Sequence, residues 1–238
     1  MNNKVLVIIP ARGGSKGIPH KNIKDLGDKP LICYSIDVAR QLTSDENICV
    51  TNEISKILVD DDAIIKVVED YGLKVPFKRP YYLATDTCGS NEVLQHAYQF
   101  YIDKGVQYDF IVLLQPTSPF RRIDDVIGSI NLYEPSLDMV VTVKETAANP
   151  YYNCYEEDVN GYLVVSKGDG KLARRQDAPP AYEWNGAVYV INPSRLMEVG
   201  LPGLTKVKKY VMDDLHSIDL DTMFDWKVAE LVLKEKLV

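Results

Sequence analysis

Residues 5–22 have the sequence VLVIIPARGGSKGIPHKN, in which a short apolar run leads directly into a polar loop. The run, residues 5–9, is aliphatic throughout and mostly β-branched, as is typical of a parallel strand buried on both faces. The loop, residues 10–22, contains three glycines, one serine and three permanent cations. A buried strand that ends in such a loop predicts an open α/β sheet, in which ligands bind beyond the carboxyl ends of the strands.

Apolar runs alternate with amphipathic segments over most of the remaining chain. Further strands are predicted at residues 56–59, 73–78, 110–114, 139–143, 187–191 and 208–212. Helices are predicted at residues 30–42, 91–104 and 222–236, between residues 60 and 71, and from about residue 124. Strands that alternate with helices in this way indicate a doubly wound α/β fold with a mostly parallel sheet.

The sequence changes character after residue 148. Residues 151–162 contain four tyrosines, and turn signals occur at residues 160–161 and 168–170. These features predict β-hairpins that leave the main sheet. Because an isolated hairpin with exposed aromatic side chains is only marginally stable, we expect it to pack on a second copy of the chain or, alternatively, within its own subunit. The chain therefore divides into a core, residues 1–148 and 185–238, and a projecting element, residues 149–184.

Composition limits the classes of partner. The 238 residues include 34 acidic and 27 basic side chains, a net charge of −7, which argues against nucleic acid or an anionic membrane as the partner. No apolar run reaches the roughly 18 residues of a membrane-spanning helix, and the N-terminus shows no signal-peptide pattern. The four cysteines are widely spaced and are expected to be reduced. We therefore expect a cytoplasmic protein.

The glycine-rich loop is the first candidate site. Glycines let backbone N–H groups approach a polyphosphate, and arginine and lysine neutralise its charge. The loop matches neither the Walker A pattern nor the dinucleotide pattern G-x-G-x-x-G. We interpret it as a cradle for a triphosphate, the alternative being a solvated basic turn.

The second candidate is the pair Asp219 and Asp221 in the segment SIDLD. In an extended segment two side chains at i and i+2 lie on the same side. Two carboxylates on one face suit Mg²⁺, which keeps several waters and bridges phosphate oxygens. The alternative is that the pair caps the following helix, in which case Asp225 lies in its first turn.

Weaker candidates lie at the ends of other strands. Gln115 follows a core strand in a loop stiffened by two prolines, and its amide can both donate to and accept from a ligand. Arg79, Asp86 and Ser90 form a polar stretch at the same expected rim of the sheet. Arg175 lies near the end of the hairpins, where its cation is available to a carboxylate. The three histidines are scattered, so neither a zinc site nor a Ser-His-Asp triad is indicated.

Five segments, taken together, are similar to a known family. They are IPARGGSKGIPHKNI, RPYYLATDTCGS, LLQPTSPFR, NGAVYVIN and SIDLDTMFDWKVAE. In this order and spacing they resemble the CMP-sialic acid synthetases, or acylneuraminate cytidylyltransferases, which share a pattern with CMP-legionaminic, CMP-pseudaminic and, more distantly, CMP-Kdo synthetases. The resemblance covers essentially the whole chain. It implies a Rossmann-like three-layer nucleotidyltransferase core and a small projecting β-rich dimerisation element, and therefore a homodimer through residues 149–184.

The resemblance also implies roles for individual residues. On the nucleotide side it places Ala11, Arg12, Gly13, Ser15, Lys16, Lys21, Asn22, Arg79, Asp86 and Ser90. On the sugar side it places Gln115, Arg175, which faces the sugar carboxylate, and Asn185. Asp219 and Asp221 are the implied Mg²⁺ ligands, with Mn²⁺ as a substitute. Arg12, Lys21 and Asp221 are the implied catalytic residues, and no general base stands out.

The implied reaction joins CMP, taken from CTP, to the anomeric hydroxyl of a nonulosonic acid and releases pyrophosphate. N-acetylneuraminic acid is the first expectation. Enzymes for sialic acid often carry a lysine shortly after the Asn149-Pro150 step, whereas two tyrosines follow it here. Legionaminic acid and deaminated neuraminic acid are therefore alternatives. A sugar-1-phosphate nucleotidyltransferase, a D-x-D glycosyltransferase and a non-catalytic nucleotide-binding subunit are more distant ones.

Overall fold

A computed structural model of the protein describes residues 3–15, 17–44, 56–59, 61–78, 80–83 and 89–238. Its strands are β1 (Val5–Ala11), β2 (Asp25–Leu26), β3 (Lys29–Pro30), β4 (Lys56–Val59), β5 (Phe110–Leu114), β6 (Met139–Glu145), β7 (Tyr155–Glu157), β8 (Leu163–Val165), β9 (Tyr182–Ile191) and β10 (Val207–Val211). Its α-helices are α1 (Leu31–Ser44), α2 (Asp62–Asp70), α3 (Ser90–Ile102), α4 (Ile123–Leu132), α5 (Pro193–Val199) and α6 (Met223–Lys234).

Six strands form the central sheet, in the order β10-β6-β9-β5-β1-β4. Five of them run parallel, and β9 is antiparallel to both of its neighbours, β5 and β6. The antiparallel direction of β9 determines where its first residues lie. Because β9 begins at the edge where the parallel strands end, its first residues lie at the same rim as the loops that follow β1 and β5.

The sheet is covered on both faces, as the predicted three-layer architecture requires. Along β1, Val5 and Val7 belong to one apolar cluster with residues of α1, α2 and α4. Leu6 and Ile8 belong to a second cluster with residues of α3 and α5. The alternation follows from the two-residue period of a strand, and a strand that is buried on both sides must be apolar at every position. A third cluster surrounds the fully buried Trp226 of α6.

Most predicted elements are confirmed, with three corrections. The strand predicted at residues 73–78 is wrong, since residues 73–76 are irregular. Pro76 lacks the N–H that a strand ladder needs, and Phe77 instead stacks on Phe100 of α3 with ring centroids 4.0 Å apart. The prediction omitted α5, whose N-cap is Asn192. The prediction also began β9 five residues late, so the boundary placed at residue 184 falls inside this strand.

The projecting element contains the predicted hairpin. β7 and β8 pair antiparallel, with Tyr155 opposite Val165 and Glu157 opposite Leu163. The turn between them includes Gly161, whose φ of +84° is open to glycine at little cost. Tyr162 and Leu163 are 70% and 71% exposed, so the hairpin presents apolar side chains to solvent in the isolated chain. No helix in the described ranges is long and apolar enough to cross a lipid bilayer.

Candidate active site

A cavity of about 370 Å³ opens at the carboxyl ends of β1 and β5, a volume typical of small-ligand sites. Six of the residues predicted from the sequence line it, and they come from three distant segments. They are Arg12, Ser15, Lys21, Asn22, Ser90 and Gln115. Lys16, Arg79 and Asp86 lie outside the described residues. The topology therefore brings the first loop, the start of α3 and the end of β5 to one place.

The first loop is shaped by contacts of its own residues and of α2. Asn22 is buried, and its Nδ2 donates to the carbonyl of Arg12 at 3.0 Å, so its side chain fixes the turn of the loop. A Cβ on Gly13 would lie 2.3 Å from Oδ2 of Asp61. Asp61 in turn caps α2 by accepting from the N–H of Ala63 at 2.8 Å. Gly13 thus lets the loop lie against the N-terminus of α2. Ala11 ends β1 and is buried.

Lys21 joins the first loop to the acidic segment. Its Nζ donates to the carbonyl of Leu220 at 2.6 Å and lies 3.3 Å from Oδ1 of Asp221. Gly17 makes a second contact, because a Cβ there would lie 2.2 Å from the carbonyl oxygen of Asp221. Residues about 200 positions apart are therefore in contact. The loop predicted to hold phosphates and the pair predicted to hold Mg²⁺ form one site.

Asp219 and Asp221 differ in environment. The side chain of Asp221 is 75% exposed. Oδ1 of Asp219 is buried without a hydrogen-bond partner. Burial raises the pKa of Asp219, the negative charge of Asp221 raises it further, and hydrogen bonding from Thr117 and the charge of Lys21 oppose the shift. Leu220 between them is buried against the Trp226 cluster, and its N–H donates to the carbonyl of Thr117 at 2.9 Å.

The alternative role for the acidic pair, capping of α6, belongs to other residues. Thr222 is the N-cap, and its hydroxyl accepts from the N–H of Asp225 at 3.3 Å. The carboxylate of Asp225 accepts in return from the N–H of Thr222 at 2.7 Å, a capping box. Asp225 thus lies in the first helical turn, as predicted, and Asp219 and Asp221 are left for another role.

The residues present fit a divalent cation that takes part of its ligand set from a substrate. An unpartnered buried carboxylate oxygen is costly and calls for an explanation, and a cation is one. In the described part of the chain, no group of three or more Asp, Glu, His or Cys side chains is arranged to hold a metal alone. Mg²⁺ is commonly held by one or two carboxylates together with waters and substrate phosphates. The pair Asp219 and Asp221 matches this pattern.

Gly186 is the point at which Gln115 and Asp219 meet. Its φ is +71°, and a Cβ there would lie 2.9 Å from Oε1 of Gln115 and 3.8 Å from Oδ2 of Asp219. The missing side chain therefore leaves room for both polar groups above the backbone of β9. Asp219 also lines a second cavity of about 320 Å³, next to Trp184 and the ion pair of Lys144 with Glu183.

Asn185 and Arg175, both predicted on the sugar side, differ in their surroundings in the single chain. The amide of Asn185 is buried, donates to Oγ of Ser217 at 2.9 Å and accepts from Oγ1 of Thr142 at 2.7 Å. Its side chain therefore connects β9 to β6 and to the acidic segment, and Asn185 also lines the 320 Å³ cavity beside Asp219. Arg175 is exposed in a one-turn 3₁₀ helix and does not line either cavity.

The sequence reasoning did not single out Arg121 or the apolar wall of the cavity. Val93 and Leu94, in the first turns of α3, line the cavity beside Ser90. The available signal was that this helix starts at the rim, so its first apolar residues face the site. Arg121 stands in the quoted segment LLQPTSPFR and is only 3% exposed. A buried position for an arginine could not be read from that segment.

The comparisons with a family model and with named relatives agree with each other. The model of the family described as "Cytidylyltransferase" matches residues 6–230. The chain is 31% identical to the CMP-N,N′-diacetyllegionaminic acid synthase of Legionella pneumophila, over 97% of both proteins. It is 31% identical to the N-acylneuraminate cytidylyltransferase of Escherichia coli O18:K1:H7, over 99% of this chain and 54% of that relative.

Among solved structures, the fold is similar to that of a CMP:2-keto-3-deoxy-manno-octonic acid synthetase complexed with CTP. The TM-score is 0.70 at 17% sequence identity, with 98% of this chain and 99% of that chain covered. At this identity the likeness establishes the arrangement of the sheet and helices.

Proposed function

The chain belongs to the cytidylyltransferase family, and we propose that it transfers CMP from CTP to the anomeric hydroxyl of a nonulosonic acid and releases pyrophosphate. The resemblance drawn from the five sequence segments is confirmed at the level of the family. The observation that carries the proposal is the contact of Lys21 with Leu220 and Asp221. This contact joins a glycine-rich cationic loop that lines the cavity to an acidic pair, the two features that transfer of a nucleotidyl group needs.

The nucleotide is proposed to occupy the 370 Å³ cavity. Backbone N–H groups of the first loop and the side chains of Arg12 and Lys21 are suited to a triphosphate, since they combine close backbone approach with positive charge. Ser15 and Ser90 supply hydroxyl groups at the same wall. The net charge of the chain is negative, so this local positive charge is what attracts an anionic ligand.

Asp219 and Asp221 are the residues that would hold Mg²⁺, and Mn²⁺ is expected to substitute. When bound, such an ion supplies charge neutralisation at the phosphate oxygens and lowers the pKa of a coordinated hydroxyl. Gln115 is proposed to orient the sugar acid, because its amide lies next to both Asp219 and the cavity. The chain itself therefore contributes mainly positioning and electrostatic stabilisation, as in other phosphoryl and nucleotidyl transfers.

The covalent step exchanges one bond for another. The oxygen of the anomeric hydroxyl forms a bond to the α-phosphorus of CTP, and the bond from that phosphorus to the bridging oxygen of pyrophosphate breaks. The hydroxyl proton leaves to solvent. Arg12 and Lys21, which line the cavity, are proposed to stabilise the charge that builds up on the departing pyrophosphate.

The sugar acid is the finer part of the proposal. N-acetylneuraminic acid is the first substrate to test. N,N′-diacetyllegionaminic acid is the second, because the relative named for it matches over 97% of its own length and of this chain. The two sugars differ in their substituents, so a direct comparison of kcat/KM decides between them.

We further propose that the chain is a homodimer through residues 149–184. The exposed apolar side chains of the β7–β8 hairpin support this, since such a surface is typical of an interaction site. Arg175 lies on the same element and is exposed. In a dimer it would be available to the site of the partner subunit, where it would face the sugar carboxylate.

The test is pyrophosphate release with CTP, Mg²⁺ and a panel of nonulosonic acids. We expect release with at least one sugar, and none when Mg²⁺ is chelated. Asp221→Ala and Arg12→Ala should each abolish turnover and keep the parental circular dichroism spectrum. Asp124→Ala, which removes an exposed carboxylate at the start of α4, is the matched control and should turn over normally. Near-parental rates in either site variant would show that the site is misplaced.

A further inference from the structure

Arg121 is a buried cation directly behind the candidate active site. It is 3% exposed, and a buried guanidinium is costly unless its N–H groups are satisfied. Within the described residues no carboxylate lies within 4 Å of it. Its Nη1 donates to Oγ of Ser35 at 2.8 Å, and its Nη2 donates to the backbone carbonyl of Gln115. Its Nε is buried without a partner. Burying this guanidinium with one N–H unpaired costs free energy of folding, which indicates that Arg121 has a role in the site.

The group that Arg121 holds is the backbone of Gln115 at the end of β5. Ser35, fully buried on α1, also approaches the same carbonyl, with Oγ 3.4 Å away. The carbonyl is thus held by two side chains, Arg121 from the far end of its own loop and Ser35 from α1. With its backbone fixed in this way, Gln115 directs its amide toward Gly186 and the cavity.

The clamped segment also supports the acidic pair. Two residues after Gln115, the carbonyl of Thr117 accepts from the N–H of Leu220, between the two aspartates. A shift of the segment would therefore move Gln115 and the acidic pair together. Burial lowers the pKa of the Arg121 guanidinium, and the negative charges of Asp219 and Asp125 oppose this shift.

We propose that Arg121 is a positioning residue for the transfer reaction. Its guanidinium, braced by Ser35, holds the Gln115 carbonyl so that the Gln115 amide and the Asp219 carboxylate face the same space above Gly186. Arg121 touches no substrate in this arrangement and acts only through Gln115 and the segment that follows. The inference rests on the proposed function, since the positioned groups are those assigned to the sugar acid and the cation.

The experiment compares Arg121→Lys and Ser35→Ala with the parent. Lysine keeps the charge but cannot reach two acceptors with a planar fork. We expect kcat with the sugar acid to fall about tenfold or more in Arg121→Lys, because small misplacements of reacting groups have effects of this size. The Kd for CTP should stay within about twofold of the parental value, since its cradle is the first loop. Arg122→Lys, the same change at the neighbouring half-exposed arginine, keeps a cation beside the buried Asp125; it is the matched control and should keep the parental kcat.

A double-mutant cycle separates this role from general stabilisation. Because Arg121 acts through Gln115 and the segment that follows, Arg121→Lys should slow Gln115→Ala by a clearly smaller factor than it slows the parent. Effects that multiply, or a loss of CTP affinity parallel to the loss of kcat, would overturn the proposal. Ser35→Ala keeps the test decisive if Arg121→Lys fails to fold, because it loosens the same clamp by removing one hydroxyl. A parent enzyme that is inactive with every sugar acid would instead reject the proposed function.

Discussion

Asp219 keeps a carboxylate oxygen buried without a partner, which is a liability for folding. Burial raises its pKa, which means that the fold disfavours the ionised form, and lowering the pH through the folded pKa relieves this destabilisation. We predict that Asp219→Asn abolishes turnover and yet raises the free energy of unfolding by about 1 kcal/mol, the low end of the cost of an unsatisfied buried group. Chemical denaturation of both proteins at pH 7 without divalent cations measures this change in the free energy of unfolding.

Asp221→Asn is the comparison for that prediction. Asp221 is largely exposed, so its replacement should change the unfolding free energy by less than about 0.5 kcal/mol while also abolishing turnover. If Asp219→Asn unfolds more easily than the parent, the buried oxygen has a stabilising partner and the argument for a cation there fails.

Gly186 supports a prediction about close approach. Alanine at this position must adopt a φ of +71° and place its Cβ 2.9 Å from Oε1 of Gln115. We expect Gly186→Ala to lower the free energy of unfolding by about 1–2 kcal/mol, as a left-handed alanine does. It should also raise KM for the sugar acid, because Gln115 must move. Gly105 has a φ of +76° with open space around it, so Gly105→Ala should show the same loss of stability with parental kinetics.

At the scale of elements, Asp138 stabilises the segment that leads into the edge strand β10. Its carboxylate accepts from the N–H groups of Thr205 and Lys206 at 2.8 and 3.0 Å and from Nε of Arg195 at 3.0 Å. The backbone hydrogen bonds from Lys206 and Thr205 are the main cause that lowers the pKa of Asp138 to about 2. Since the pKa is depressed in the folded state, this stabilisation is present above the unfolded pKa and is lost as the pH falls toward 2.

We therefore predict that Asp138→Asn lowers the melting temperature at pH 7. The difference from the parent should shrink as the pH is lowered from about 4 toward 2. Melting curves recorded across that range provide the measurement. Asp103→Asn, at the exposed end of α3, is the control and should follow the parent at every pH. A difference that stays constant down to the acid limit would mean that Asp138 acts by shape alone.

Some strands were predicted closely from the sequence, and parts of others were missed. β1 and β5 were predicted closely because strands buried on both faces must be apolar at every position. The first residues of β9, Tyr182–Trp184, were missed because they are exposed and polar in pattern, although they pair with β6. The antiparallel direction of β9 could not be predicted either, since direction depends on how the chain returns from the projecting element.

At the scale of the whole molecule, topology explains why the site was partly predictable. The carboxyl ends of parallel strands share one rim, so the loops after β1 and β5 were expected to meet. The contact between Lys21 and Leu220 was not predictable, because no local pattern relates residues about 200 positions apart. The inward direction of Arg121 and Asn185 depends on the packing of α1 and β6, which a linear pattern does not contain.

The exposed hairpin leads to a prediction about assembly. Leu163→Asp places a charge on the apolar surface of β8, and we expect it to shift a dimer to monomer without changing the melting temperature by more than a few degrees. Sedimentation equilibrium gives the mass. Leu231→Asp introduces the same charge at a similarly exposed leucine of α6 and should stay dimeric. A parent that is monomeric at all concentrations rules out the interface.

An active site shared between two subunits can be tested by mixing two inactive variants. If Arg175 serves the partner subunit, an Arg175→Ala dimer and an Asp221→Ala dimer are each inactive, but a mixed dimer has one complete site. That complete site combines the intact acidic pair of the Arg175→Ala chain with the intact Arg175 of the other chain. After unfolding and refolding an equal mixture, half of the dimers are mixed, so about one quarter of the parental rate should return. If the mixture regains no activity although mixed dimers form, each chain uses its own Arg175; an Arg175→Ala dimer that is active alone shows that Arg175 is not used. Subunits that differ in a mass tag establish that mixed dimers are present.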